Sequence, residues 1–168
     1  MALSNFERMI QLAEDVFSAH NDPAQLDVDE NVMARLERIH PATLSEHIEG
    51  DGPVVWILLI PTTVDLMNRF VAEEISETEL LNQTPLDIKY EALYLCSALV
   101  LSESRRKGLA TKTGMDAIRH IRADHHIKFL FTWNFSDEGA SLAEHAAKHE
   151  SLPLLKRPVQ SKRIEYGK

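Results

Sequence analysis

Cysteine is nearly absent from this chain: Cys96 is the only one in 168 residues. One thiol cannot close an internal disulfide, which excludes the stapled frameworks of small secreted domains. Cys96 lies in an apolar run, where a small buried hydrophobe is the expected role, and no activating partner stands near it in the sequence. Positive charge is also in deficit. Lys and Arg number 18 against 26 Asp and Glu, a net charge of -8 with a pI near 5.4. Non-specific contact with DNA or RNA needs clustered cations, so no nucleic-acid partner is expected. Long hydrophobic runs are missing too. No segment approaches the ~20 apolar residues of a membrane span, so no membrane partner is expected. The opening residues, Met1 to Glu7, lack the basic stretch and apolar core of a signal peptide, and the cytoplasm is the expected location. Repeats, low-complexity segments and linkers are absent, which leaves one domain over residues 1–168.

What is present suffices for a core: 44% hydrophobic against 26% charged residues is the balance of a globular chain. Phe6, Ile10, Ala13 and Phe17 follow the spacing of one helical face over residues 4–19, with Ser4 and Glu7 as a capping box and Asn21-Asp22-Pro23 as the stop. Val32, Leu36 and Ile39 predict a second helix over 29–39, ended by Pro41. Thr43 and Glu46 form another capping-box pair and predict a short third helix. The first 50 residues are therefore expected to be helical, a cap on one end of a sheet. Gly50-Asp51-Gly52-Pro53 is a strong turn signal. Val54–Ile60 is a continuous, β-branched apolar run and reads as a strand buried on both faces. Residues 64–81 read as one helix carrying Glu73, Glu74, Glu77 and Glu79, a solvated acidic face, broken at Gln83-Thr84-Pro85. Residues 91–101 form a long central strand, 108–123 a helix with small residues on its stripe, 127–133 a third strand and 138–150 an Ala-rich helix. Leu154 to Tyr166 supply one or two short edge strands. Strands alternating with helices place the chain in the α/β class, with parallel pairing across helical crossovers.

One loop carries a chemical signal. After the strand ending at Leu101 come Ser102-Glu103-Ser104, then Arg105-Arg106-Lys107-Gly108-Leu109-Ala110-Thr111, then a helix. A helix start exposes N–H groups without internal partners and a partial positive charge. A glycine there lets a ligand approach the backbone, and three consecutive cations add a local positive field. Together these suit a diphosphate or similar anion. The run is not a P-loop, because no glycine directly precedes the lysine in Gly108-Leu109-Ala110-Thr111-Lys112-Thr113.

Arg105, Gly108 and Ala110 fill the fixed positions of a pattern that resembles the signature of the GNAT N-acetyltransferase superfamily, and a strand ending in Trp133-Asn134 about 20 residues further on resembles it as well. The resemblance covers roughly residues 91–166, including Arg163-Ile164-Glu165-Tyr166 as a closing edge strand. It implies a GNAT-like mixed sheet flanked by helices, with the helical N-terminal part beside it. It further implies acetyl-CoA as co-substrate. The central strand would splay from its neighbour and pair with the pantetheine arm through Leu99, Val100 and Leu101. Arg105 and the amides from Arg106 through Lys107, Gly108, Leu109 and Ala110 to Thr111 would hold the pyrophosphate, with Asn134 on the other side of the cofactor.

The implied chemistry is direct attack of an amine, on a small molecule or a protein, on the thioester. Glu91 at the start of the central strand and Glu103 just past its end are candidate bases, each otherwise a solvated strand-end charge. Tyr94 either faces the cleft or belongs to the core. Two departures stand out. Ala143 to His149 contain no tyrosine to protonate the leaving thiolate, and the N-terminal half shows no strand hairpin. A catalytically degenerate GNAT-fold module that binds CoA or a protein partner is the alternative. Self-association is left open. His145 and His149 share a helical face but lack a third metal ligand, so no metal is expected. His125-His126 read as exposed turn residues and Trp133 as core.

Overall fold

The computed structural model of the chain describes residues 2–20, 26, 29–134 and 137–159. Helix α1 (Asn5–His20) starts at the predicted capping box: the Glu7 amide donates to Ser4 Oγ at 3.1 Å and the Ser4 amide to Glu7 Oε1 at 3.0 Å. Its expected stop at Asn21-Asp22-Pro23 lies outside the described residues. Helix α2 (Glu30–Ile39) is capped by Asp29, whose carboxylate accepts from the Val32 amide at 2.9 Å.

The third helix expected from Thr43 does not form. The Thr43 hydroxyl turns back to the carbonyls of Leu36 and His40, at 2.9 and 2.8 Å, and so closes α2 instead of capping a new helix. A single 3₁₀ turn (Pro41–Thr43) leads into strand β1 (Leu44–Glu49). Gly50, at φ +64°, and Asp51 then turn the chain into β2 (Gly52–Thr62), antiparallel to β1 with a register irregularity between His47 and Ile48. The hairpin that the sequence reading lacked is therefore present, and the first 50 residues are not all helical.

The helix expected over 64–81 is two. Helix α3 (Val64–Val71) stops before Glu73, which sits at φ +65°, and Ser76 opens α4 (Glu77–Gln83) with a complete capping box to Glu79. Serine so placed bonds the backbone locally and favours a helix start over a helix interior. Strand β3 (Ala92–Val100), helix α5 (Leu109–Asp124), strand β4 (Phe129–Thr132), helix α6 (Asp137–Glu150) and strand β5 (Leu154–Lys156) follow as expected in kind and order. The proposed closing strand at Arg163–Tyr166 lies outside the described residues.

The five strands form one mixed sheet in chain order, β1-β2-β3-β4-β5. The first two pairings are antiparallel. β3–β4 and β4–β5, each joined through a helix, are parallel. Ile57 and Leu59 of β2 face α5 and α6, while Trp56 meets Phe6 of α1 at 6.0 Å between ring centres. Gly114, Ala117, Ile118 and Ile121 bring α5 down onto the sheet. Among the described residues no helix is long and apolar enough to cross a membrane.

Phe70 centres the aromatic part of the core, 4.9 Å from Tyr94 and 5.9 Å from both Phe131 and Trp133 between ring centres. It is fully buried, so Phe70→Ala should cost ~3–5 kcal/mol through lost burial and the void left behind. Urea unfolding of the two proteins measures this. A loss below ~1 kcal/mol would show that the aromatic cluster does not hold the helices to the sheet.

Candidate functional site

β3 and β4 begin as neighbours and then part. They pair only from Ala92–Phe129 to Leu95–Thr132. At that point β3 carries a bulge: Leu59 of β2 faces Leu95 and Leu58 faces Ser97, so Cys96 has no partner in β2. A bulge bends its strand and increases the local twist. β4 ends at Thr132, whose Oγ1 stands 3.3 Å from the Leu95 carbonyl and 2.7 Å from Asn134 Oδ1. Beyond it, β3 continues to Val100 with one side unpaired by β4.

The phase of that open edge follows from one hydrogen bond. The Leu101 amide donates to the Val54 carbonyl at 3.0 Å. Alternation then turns the backbone groups of Leu99 and Leu101 towards β2 and those of Ala98 and Val100 towards the opening. Of Leu99, Val100 and Leu101, Val100 alone presents its backbone to the fork, and Leu101 is buried. Ala98, which the sequence reading passed over, is its companion. The Val100 carbonyl already accepts from Arg105 Nε at 3.3 Å. Beside the fork, between β3, α5 and α6, is a cavity of about 60 Å³ whose walls include Leu95, Cys96, Ala98, Met115, Asn134 and Leu142. Its volume admits only the thin end of a chain. A whole ligand of ordinary size needs roughly 300 Å³ or more.

The loop after β3 leads from the fork to α5. Ser102–Ser104 form a 3₁₀ turn, and Arg105, Arg106, Lys107 and Gly108 are exposed. Arg106 (φ +66°) and Gly108 (φ +74°) are both left-handed. No side chain caps the start of α5, and its first internal bond runs from the Lys112 amide to the Gly108 carbonyl. The half-buried residues Leu109, Ala110 and Thr111 thus have amides without intrahelical acceptors. A Cβ built on Gly108 would meet nothing within 4 Å, so the space beside this glycine is open.

The three candidate catalytic side chains are not brought together. Glu103 is held by Arg8 of α1 in a two-point ion pair, with both oxygens at 2.6 Å, and this contact keeps its carboxyl at about 2. So acidic a group is a poor base near neutrality. Glu91 sits at the far end of β3, roughly 30 Å along the strand from Leu101, and pairs with Lys128 at 3.0 Å. Tyr94 does not face an open cleft: it is fully buried and stacks on Phe131 at 5.0 Å.

The Tyr94 hydroxyl donates at 2.5 Å to a residue that the sequence reading placed on a solvated face, Glu77. Glu77 is buried, 6% exposed. Its Oε1 accepts from the Leu26 amide at 2.6 Å, and its Oε2 also takes the Cys96 thiol at 3.5 Å. Burial raises the Glu77 carboxyl above the ordinary range, against the pull of these hydrogen bonds and of Arg157. Burial, together with the adjacent carboxylate, pushes the Cys96 thiol well up. The signal for Glu77 was its spacing: Leu80 and Leu81 lie three and four residues on, so position 77 belongs to the apolar stripe of α4. Arg157 is buried with it, its guanidinium 4.6 Å from the Phe70 ring and 4.4 Å from that of Trp133, donating to the carbonyls of Phe70 and Ile75.

Three further readings have definite positions. Trp133 is buried in the core. His125, expected to be exposed, is half-buried and accepts from the Tyr90 amide at 3.2 Å. The rings of His145 and His149 lie 6.1 Å apart, and among the described residues no three His, Cys, Asp or Glu side chains form a metal-holding group. No family model, curated protein or solved structure matches the chain.

Two titrations follow. The Glu103 carboxyl is depressed on folding, so the stability it lends is full above about 4.5 and is lost as the pH falls towards about 2. Arg8→Met should return the Glu103 titration, followed by carboxyl carbon NMR, to near 4.5; an unchanged midpoint would mean that the ion pair does not persist in solution. Glu77 has the opposite sign. Its raised carboxyl favours the folded state most below about 4.5, and that advantage fades as the pH rises through its folded value. The melting temperature of Glu77→Gln relative to wild type should therefore climb as the pH rises above about 4.5. A difference that falls with rising pH contradicts the upward shift.

Proposed function

We propose that the chain is an acyltransferase of the GNAT type, which takes the acetyl group of acetyl-CoA to an amine on a small molecule or a protein. The observation that carries this reading is the meeting of two features at one end of β3. The strand edge opens at Ala98 and Val100, and the loop that follows ends in an uncapped helix start flanked by Arg105, Arg106 and Lys107. On this reading the amides from Arg106 to Thr111 and the neighbouring cations hold the pyrophosphate, which suits an anion at a helix N-terminus. The edge of β3 bonds the amides of the pantetheine arm. The thioester end lies in the cavity by Cys96 and Asn134, which is large enough for that end alone. The β1–β2 hairpin supports the reading as well, because its absence was one of two departures from the family pattern.

The transfer forms a carbon–nitrogen bond and breaks the carbon–sulfur bond, with the amine proton going to a base and the thiolate leaving. Glu103, Glu91 and Tyr94 are engaged, distant and sealed in turn. That specific observation favours a second reading, a GNAT-like module that binds CoA without turnover.

Calorimetric titration with acetyl-CoA tests the first step. Wild type should bind with micromolar affinity, and Gly108→Glu, which sets a carboxylate in front of the helix start, should not bind. Gly108→Ala carries a similar left-handed backbone strain, ~1–2 kcal/mol, without the charge, and serves as the control. Neither heat nor thermal shift with wild type would end both readings. Binding without acetyl transfer to a panel of amines would select the second.

A further inference from the structure

Helix α2 has two faces with different fates. Leu36 and Ile39 are buried in the core. Glu30, Met33, Ala34 and Glu37, spaced three and four apart, form a second stripe that is exposed along its whole length. With Pro41, Thr43 and Leu44 this stripe walls a groove of about 390 Å³ between α2 and the start of β1, the edge strand of the sheet. That volume is within the range of small-ligand sites, and the groove shares no residue with the cavity beside Cys96.

Met33 and Leu44, 48% and 38% exposed, give the groove apolar wall. Glu30 and Glu37 add two acidic groups to its lining. Glu30 and Glu37 lie two turns apart, about 10 Å along the helix axis. Neither carboxylate has an ion-pair or hydrogen-bond partner among the described residues. A second copy of a chain of charge -8 would bring further carboxylates to this face, so charge complementarity commits the groove to a cation. A single ammonium leaves one glutamate unmatched, and a short diamine cannot span both.

We propose that this groove binds a linear aliphatic diamine or polyamine, laid along α2 with an ammonium at each of Glu30 and Glu37 and its methylenes over Met33 and Leu44. The site is separate from the proposed acyl-transfer site and does not rest on that reading.

Two methionines report on the two places independently: Met33 lines the groove and Met115 the cavity. The whole chain, labelled with carbon-13 at its methionine methyls, is titrated with octane diamine, propane diamine, octylamine and, separately, acetyl-CoA. The Met33 signal should move and saturate with octane diamine. Octylamine and propane diamine should each bind roughly fivefold more weakly, as should octane diamine to Glu30→Gln or Glu37→Gln, since one exposed ion pair is worth up to about that factor. Both residues are exposed, and unchanged melting temperatures will show that the variants fold.

A motionless Met33 overturns the proposal. So does equal movement with octylamine, or undiminished movement in the Glu30→Gln/Glu37→Gln double variant, because either makes the contact merely apolar. Movement of Met115 alone puts the amine in the cavity and also overturns it. An oligolysine peptide that moves Met33 at lower concentration than octane diamine would replace the small ligand with a peptide partner. The acetyl-CoA arm is read at Met115, so its failure bears on acyl transfer and leaves the groove standing.

Discussion

The constraint on which the rest of the molecule depends is the extra residue in β3. Cys96 has no partner across β2, and at the same level β4 ends. Below the bulge, β3 is an ordinary interior strand with neighbours on both sides. Above it, the same strand is half free, and its backbone groups alternate between β2 and the opening. The cavity lies beside that insertion, and the open edge at Ala98 and Val100 lies beyond it.

The buried polar groups sit at the same level. Glu77 reaches over from α4 to accept from Cys96, the unpaired residue itself, from Tyr94 two positions before it, and from Leu26 far away in sequence. A carboxylate taken out of water is costly unless its lone pairs are used. Here three donors and the nearby Arg157 offset part of that cost, and burial still raises the carboxyl. The network ties α4 and Leu26 to the centre of the sheet beside the bulge. Arg157, clamped between Phe70 and Trp133, does similar work by holding the carbonyls of Phe70 in α3 and of Ile75 in the α3–α4 connection.

The order and kind of most elements were legible because each strongly periodic segment agreed with its tertiary setting. Val54–Ile60, the central strand, α5 and α6 needed only pattern and punctuation. Where local chemistry pointed two ways, the reading failed. Thr43 with Glu46 has the form of a capping box, yet the Thr43 hydroxyl was claimed by carbonyls of the preceding helix. Glu77 reads as solvent-facing from its acidic neighbours in sequence, although its neighbours in helical spacing are Leu80 and Leu81. The candidate site divides the same way. The basic loop and its glycine stood out as a local feature. The bulge, which decides which strand residues face the fork, is a relation between two strands and leaves no mark in either alone. Nor did the Arg8–Glu103 pair, whose members are 95 residues apart.

The irregularity between His47 and Ile48 gives β1 a different significance. A sheet's outer strand offers unused amides and carbonyls on which another chain could extend it, the first step of fibrous aggregation. β1 interrupts that template with a register break and carries Glu46 and Glu49 along its six residues. Charged side chains on an outer strand discourage such an addition. The hairpin that completes the sheet thus also limits its growth, and leaves Ile48 exposed to solvent on a strand that other strands are discouraged from joining.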